Sequence, residues 1–90
     1  MFTKALALDV AWEGIRVNCV CPGDIMTPMV AEQLSKEPLP EAALQQMSGI
    51  YPLGRIGTPE EVAAVIVFLA SPQAAFVTGA LWSIDGGLTA

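Results

Sequence analysis

Two short runs of strand-forming residues restrict the folds that this 90-residue chain can adopt. One covers residues 15–21 and stops at Pro22 and Gly23, and the other covers residues 80–84 and stops at an Asp-Gly-Gly sequence. Both read as mainly continuous apolar segments, which is typical of parallel strands covered on both faces. Because two strands cannot bury themselves so completely, we expect an α/β sheet with neighbouring strands that this sequence does not contain.

Helices are predicted before and between these strands. Helix-forming residues and capping signals place them over residues 2–13, 28–35, 40–47 and 59–70. The first is apolar around most of its circumference, as in a buried or interface helix, and Gly14 follows it where a left-handed cap residue would lie. The clearest helix start is at Thr58, because its hydroxyl and the Glu61 carboxylate can form a capping box. The predicted order is helix, strand, two short helices, capped helix, strand.

Composition and charge exclude several classes of partner. Hydrophobic residues make up 53% of the chain and charged residues only 14%, against about 25% charged residues in an average domain. A small chain cannot bury that much apolar surface alone, which favours a piece of a larger core or a protomer that needs partners. The net charge of −5 argues against nucleic acid and against an anionic membrane surface. The longest apolar run has nine residues, far fewer than the ~20 of a membrane span, and no secretory signal pattern is visible, so we expect a cytoplasmic protein.

The two cysteines lie two residues apart in the first predicted strand. Cys19 and Cys21 therefore point to the same face, with Cα atoms roughly 6.5 Å apart along the strand. That separation is poor for a disulfide, and the chain has no third cysteine and no histidine to complete a metal site. We expect no metal and two inert core thiols in a reducing compartment.

The loop at residues 22–29 is the candidate ligand-contacting segment. In open α/β sheets, ligands bind outside the carboxyl ends of the strands, where this loop lies. Gly23 would let a flat ring approach the backbone, and Thr27 offers a hydroxyl beside the free amides of a helix N-terminus. A strand-to-helix turn can also use Pro-Gly and a Thr cap without binding anything, so the spacing alone leaves both interpretations open.

A longer series of motifs makes the sequence recognisable. They are residues 3–7, 14–18, 21–23, 52–55, 59–63, 68–71, 77–79 and 85–87, with Ile25, Thr27 and Gly57. In this order they resemble the C-terminal portion of the short-chain dehydrogenase/reductase family, over essentially the whole chain. The resemblance implies part of a Rossmann-type, doubly wound parallel sheet. It also implies hydride transfer between NAD or NADP and an alcohol or carbonyl substrate.

The same resemblance assigns roles to the loop after the first strand. It implies that Pro22 and Gly23 pack beside the nicotinamide and that the backbone of Ile25 hydrogen-bonds the carboxamide. The Thr27 hydroxyl would bond the carboxamide or a cofactor phosphate. These four residues are the predicted cofactor-binding set.

The segment from residue 29 to about residue 50 resembles the variable lid that closes over substrate. Its apolar residues Met29, Leu34 and Met47 are candidates for the wall of a substrate pocket. They serve equally well as core residues, and both interpretations stay open.

The catalytic parts of the family pattern are not found. The glycine-rich phosphate turn has no counterpart, and Tyr51 is followed four residues later by Arg55 rather than by the family's Lys, in a different part of the fold. We therefore predict no catalytic residue, and a turn role for Asp85. Residues 1–90 are expected to be a single incomplete domain that lacks its N-terminal portion.

Two functions follow from this interpretation. The first is the C-terminal portion of an NAD(P)-dependent oxidoreductase, inactive as an isolated chain, whose partner is the missing N-terminal portion. The alternative is a non-catalytic interaction protein that uses the family's oligomer surfaces, on the helix at residues 2–13, the helix after Thr58 and the strand at residues 80–84. In either case an isolated chain would expose apolar surface, and we expect a homo-oligomer.

Overall fold

The computed structural model describes residues 2–90 and has the predicted α/β order. Its elements are α1 (Phe2–Val10), β1 (Cys19–Pro22), α2 (Pro28–Ser35), α3 (Pro40–Ser48), α4 (Pro59–Ala70) and β2 (Leu81–Ile84). A 3₁₀ turn continues α1, and Gly14 ends it in the left-handed region, at φ 77°, as predicted. A second 3₁₀ turn follows α4.

The two strands pair in parallel, with Cys19 opposite Leu81 and Pro22 opposite Ile84. β1 is shorter than the predicted strand at residues 15–21, because side chains replace part of the backbone ladder. The Val17 N–H donates to the Thr78 hydroxyl at 3.1 Å. Strand pairing is therefore regular only from Cys19 onward.

Helix α4 covers one face of the sheet. The Phe68 ring lies 5.8 Å from the Trp82 ring between centroids, and Leu69 on the same helix is buried. Trp82 shares this face with its register partner Val20, because paired residues of neighbouring strands point to the same side. On the opposite face the side chain of Cys21 is exposed.

The described part of the chain is elongated and open. Its radius of gyration is 16.4 Å, against about 12 Å for a compact domain of this length. Its accessible surface is 6329 Å², against about 5,000 Å² for a folded monomer of this mass. That residues 1–90 form an incomplete domain stays a prediction. The open, elongated shape is the one that we expect of such a domain. Among residues 2–90, no helix is both long enough and apolar enough to cross a membrane.

Candidate functional site

The loop after β1 is held in place by backbone hydrogen bonds from two directions. The Gly23 N–H donates to the Ile84 carbonyl at 3.0 Å, which extends the pairing of β1 with β2. Gly57 then accepts from the Met26 N–H and donates to the Asp24 carbonyl, each at 2.9 Å. The loop is thus fixed at the carboxyl ends of both strands, the edge where ligands bind in open α/β sheets.

Two groups of the loop keep unused hydrogen-bonding capacity. The Thr27 hydroxyl caps α2 by accepting from the Val30 N–H at 3.2 Å, so its own proton is free to be donated. The Ile25 carbonyl accepts from the Thr27 N–H at 2.8 Å, while the Ile25 N–H makes no hydrogen bond within residues 2–90. The predicted helix cap is confirmed, whereas the contacts of these two groups with a carboxamide stay a prediction.

Tyr51 is the residue of this region whose role sequence reasoning missed. Its buried side chain places the hydroxyl 2.7 Å from an Asp24 carboxylate oxygen, to which it donates, and 2.7 Å from the Asp24 N–H, from which it accepts. The hydrogen bond to the carboxylate raises the pKa of Tyr51. A Cβ at Gly23 would lie 2.9 Å from the Tyr51 ring. On that side of Gly23, the flat ring that packs against the backbone is therefore the side chain of Tyr51.

A charged cluster fixes the segment that carries Gly57. The Arg55 guanidinium donates two hydrogen bonds, of 2.8 and 2.7 Å, to the Glu61 carboxylate. The Thr58 N–H also donates to this carboxylate, at 2.9 Å, which completes the predicted capping box. Arg55 and then Thr58 lower the pKa of Glu61 to about 2.

Asp85 has the predicted turn role. Its carboxylate accepts hydrogen bonds from the N–H groups of Gly87 and Thr89 and from the Thr89 hydroxyl. The Thr89 hydroxyl is the main reason that the pKa of Asp85 is lowered. With Asp24 and Tyr51 it lines a cavity of about 270 Å³ beside the loop.

The structure brings together two of the three candidate substrate residues. Leu34 on α2 and Met47 on α3 line one shallow depression of about 330 Å³. Met29 is 67% exposed and lies outside that depression.

The cysteines do not occupy a core. Cys21 is exposed and Cys19 is half-buried, and their sulfur atoms lie 4.0 Å apart. Residues 2–90 contain no cluster of three or more His, Cys, Asp or Glu side chains that could hold a metal ion.

Comparison with known proteins finds similarity to dehydrogenases over nearly the whole chain. A family model described as enoyl-(acyl carrier protein) reductase matches residues 1–89. The chain is 45% identical to 2-(S)-hydroxypropyl-CoM dehydrogenase 3 of Xanthobacter autotrophicus, over 98% of the chain and 34% of that protein. It is 49% identical to L-fucose dehydrogenase of Bos taurus, over 94% of the chain and 31% of that protein.

Solved structures are similar to this chain as well. A short-chain dehydrogenase family protein from Francisella tularensis has a TM-score of 0.90 and 41% identity, over 98% of this chain and 38% of that one. The structure of ElxO with NADP bound has a TM-score of 0.88 and 37% identity, over 97% of this chain and 34% of that one. The chain therefore spans about a third of the length of the proteins that it matches.

Proposed function

Because this chain belongs to the short-chain dehydrogenase/reductase family, we propose that it forms the C-terminal portion of an NAD(P)-dependent oxidoreductase. The observation that carries the proposal is the loop beyond β1, which leaves the Ile25 N–H and the Thr27 hydroxyl proton unused at the ligand-binding edge of the sheet. NAD or NADP, when bound, supplies or accepts the hydride. The described residues contribute binding and orientation of its nicotinamide end.

Each loop residue has a separate task in this proposal. Pro22 and Gly23 pack beside the nicotinamide, on the side of Gly23 away from the Tyr51 ring. The Ile25 N–H donates to the carboxamide oxygen, and the Thr27 hydroxyl donates to the carboxamide or a phosphate. The NADP bound to ElxO, a structural neighbour of this chain, supports this class of dinucleotide. No residue of the chain is assigned to proton transfer.

The substrate proposed for the complete enzyme is an alcohol or carbonyl compound. The names of the relatives, dehydrogenases of a hydroxypropyl-CoM and of L-fucose, support this class. Leu34 and Met47 would form an apolar wall of its pocket from the depression between α2 and α3, with Met29 joining when the lid closes. A cytoplasmic location remains the prediction made from the sequence.

We further propose that the isolated chain does not turn over substrate. Binding must overcome at least about 4 kcal/mol of lost translational and rotational freedom, and the loop supplies only a few contacts. The missing N-terminal portion would add the phosphate-binding turn, the catalytic residues and the further strands of the sheet. The coverage of about a third of each relative supports a partner of this kind.

A chimera tests this proposal directly. The segment of bovine L-fucose dehydrogenase that aligns with this chain is replaced by the chain, and NAD(P) reduction with L-fucose is measured. We expect activity above that of the truncated bovine protein. A chimera that folds cooperatively yet does not bind cofactor would contradict the proposal.

Two variants of Thr27 separate cofactor binding from folding in that chimera. Thr27→Asp still caps α2, because aspartate is an equally good N-cap residue, but it places a negative charge near the cofactor. We expect it to weaken NAD(P) binding by about tenfold, or ~1.4 kcal/mol, with an unchanged melting temperature. Thr27→Ser keeps the hydroxyl and is the matched control, with near-normal binding. Equal NAD(P) binding by the two variants would show that Thr27 does not lie in the cofactor site.

One observation favours a second candidate function, a non-catalytic interaction protein. Large apolar side chains are unusually exposed, among them Trp12 at 82%, Phe76 at 103% and Val67 at 67%. Co-purification with full-length relatives, at a defined ratio and without gain of dehydrogenase activity, would support this function. Activity that appears only when an N-terminal portion is added would support the first.

A further inference from the structure

The pair Cys19 and Cys21 is a cluster of nucleophilic groups that the proposed function does not use. Both side chains lie on the sheet face opposite α4, and their sulfur atoms are 4.0 Å apart. Ser83, the register partner of Cys21, is exposed on the same face, so reagents can reach the pair from solvent in the 90-residue chain by itself. The chain contains no other cysteine and no histidine.

The sulfur–sulfur distance distinguishes the chemistry that the pair favours. A disulfide needs a bond of about 2.05 Å, so the sulfurs would have to approach by about 2 Å within one strand. A single atom can instead bond both sulfurs at about 2.3 Å, the length of a zinc–thiolate bond. The sulfurs are then about 3.3 Å apart if the two bonds meet at a right angle, and about 3.8 Å apart if they meet at the tetrahedral angle. Small side-chain rotations are enough for that second arrangement.

We propose that, in the 90-residue chain without the added N-terminal portion of the proposed function, Cys19 and Cys21 form a two-thiol site that binds one monosubstituted trivalent arsenical through both sulfurs. An ion that needs four protein ligands does not fit, because the described residues offer no third ligand at this pair. Arsenic carries its third valence on its own substituent. The reaction is R–As(OH)₂ plus two thiols giving R–As(S-Cys)₂ plus two water molecules, in which two As–S bonds replace two As–O bonds. The arsenic stays trivalent, and each thiol proton leaves in a water molecule.

The probe is phenylarsine oxide, which hydrates to this form, and the readout is the intact mass of the 90-residue chain. We expect one phenylarsenic adduct per chain and loss of both free thiols. The adduct should resist excess 2-mercaptoethanol, which breaks single As–S bonds, and be removed by 2,3-dimercaptopropanol, because two linked bonds raise the effective concentration of the second sulfur. Cys19→Ser and Cys21→Ser should each lose the adduct in mercaptoethanol.

The matched control keeps two thiols but separates them in space. The double variant Cys19→Ser/Val20→Cys places them on adjacent residues, whose side chains point to opposite faces of β1. We expect mercaptoethanol to displace the arsenical from the folded control at a concentration about tenfold lower than from the native pair. In urea that difference should disappear, because the strand no longer orients the thiols. Equal retention by the two folded proteins, or a disulfide in the untreated chain, would overturn the proposal.

Discussion

At the residue scale, the loop depends on the close fit between Gly23 and Tyr51. An alanine Cβ at position 23 would lie 2.9 Å from the Tyr51 ring and 3.3 Å from the Asp85 Cα. The ring cannot move away freely, because its hydroxyl makes two hydrogen bonds to Asp24. We expect Gly23→Ala to lower the free energy of unfolding by about 1–3 kcal/mol, as overpacking does elsewhere.

Urea unfolding monitored by circular dichroism measures this cost. Gly49→Ala is the milder comparison, because Gly49 has φ −68° and its Cβ would make one tight contact, 3.3 Å from the Gln45 carbonyl oxygen, against 2.9 Å from the Tyr51 ring at Gly23. We expect it to cost about 1 kcal/mol less than Gly23→Ala. If Gly23→Ala is equally mild, the loop adapts to a Cβ and Tyr51 does not fix its position.

Glu61 gives the chain a specific dependence on acid. Its pKa is about 2 when folded, against the ordinary 4.5, because Arg55 and then Thr58 hydrogen-bond the charged carboxylate. A lowered pKa means that this stabilisation is complete above about pH 4.5 and is lost as the pH falls toward 2. We expect Glu61→Gln to lower the urea midpoint at neutral pH and to converge with wild type below that range.

Glu60 provides the comparison for that experiment. It lies in the same first turn of α4 but makes no side-chain hydrogen bond within the described residues. Glu60→Gln should therefore lower the urea midpoint at neutral pH less than Glu61→Gln does. The assignment to Glu61 fails if both variants lower that midpoint by the same amount.

At the element scale, local signals predict helices well and long-range contacts remain hidden. Both ends of α4 follow from neighbouring residues, Thr58 and Glu61 at the start and Ser71-Pro72 at the end. The start of β1 could not be found in this way, because it depends on Thr78, which is distant in the sequence. The candidate loop was predictable from its motif, whereas its contact with Tyr51 joins residues 27 positions apart and leaves no local pattern.

Arg16 connects the first extended segment with the end of α4. Its guanidinium donates to the carbonyls of Leu69 at 2.7 Å, Ser71 at 3.2 Å and Val77 at 3.2 Å. The last carbonyls of a helix have no partner within it, and a cation there also interacts favourably with the helix dipole. We expect Arg16→Met to cost about 1–3 kcal/mol of unfolding free energy and to speed amide hydrogen exchange at the end of α4.

Variants of two other kinds test this linkage. Arg16→Lys should recover only part of the loss, because one ammonium cannot reproduce the planar arrangement of donors. Lys36→Gln removes an exposed pair with Glu32, whose atoms are 3.5 Å apart, and should cost less than about 0.5 kcal/mol. A loss from Arg16→Met no greater than that from Lys36→Gln would show that α4 ends independently of Arg16.

At the scale of the whole molecule, the chain has too little core for its surface. The hydrophobic residues that are buried within residues 2–90 are Ala7, Tyr51, Ile56, Leu69 and Ala74. The extents of 54 × 24 × 22 Å leave most side chains near solvent. Burial of apolar surface is the main favourable contribution to folding, so added strands or a second copy would stabilise the chain more than any single internal contact.

This surface excess makes stability depend on concentration. If folded chains associate and unfolded chains do not, mass action raises the free energy of unfolding as the protein concentration rises. We expect the urea midpoint to increase between low and high micromolar concentration, and sedimentation to detect species larger than the 9.4 kDa monomer. Adding the N-terminal portion of a full-length relative should replace self-association by a one-to-one complex, because its strands would cover the same exposed sheet. A monomer whose urea midpoint does not change with protein concentration would contradict the expected self-association. Its few buried residues would then suffice for folding.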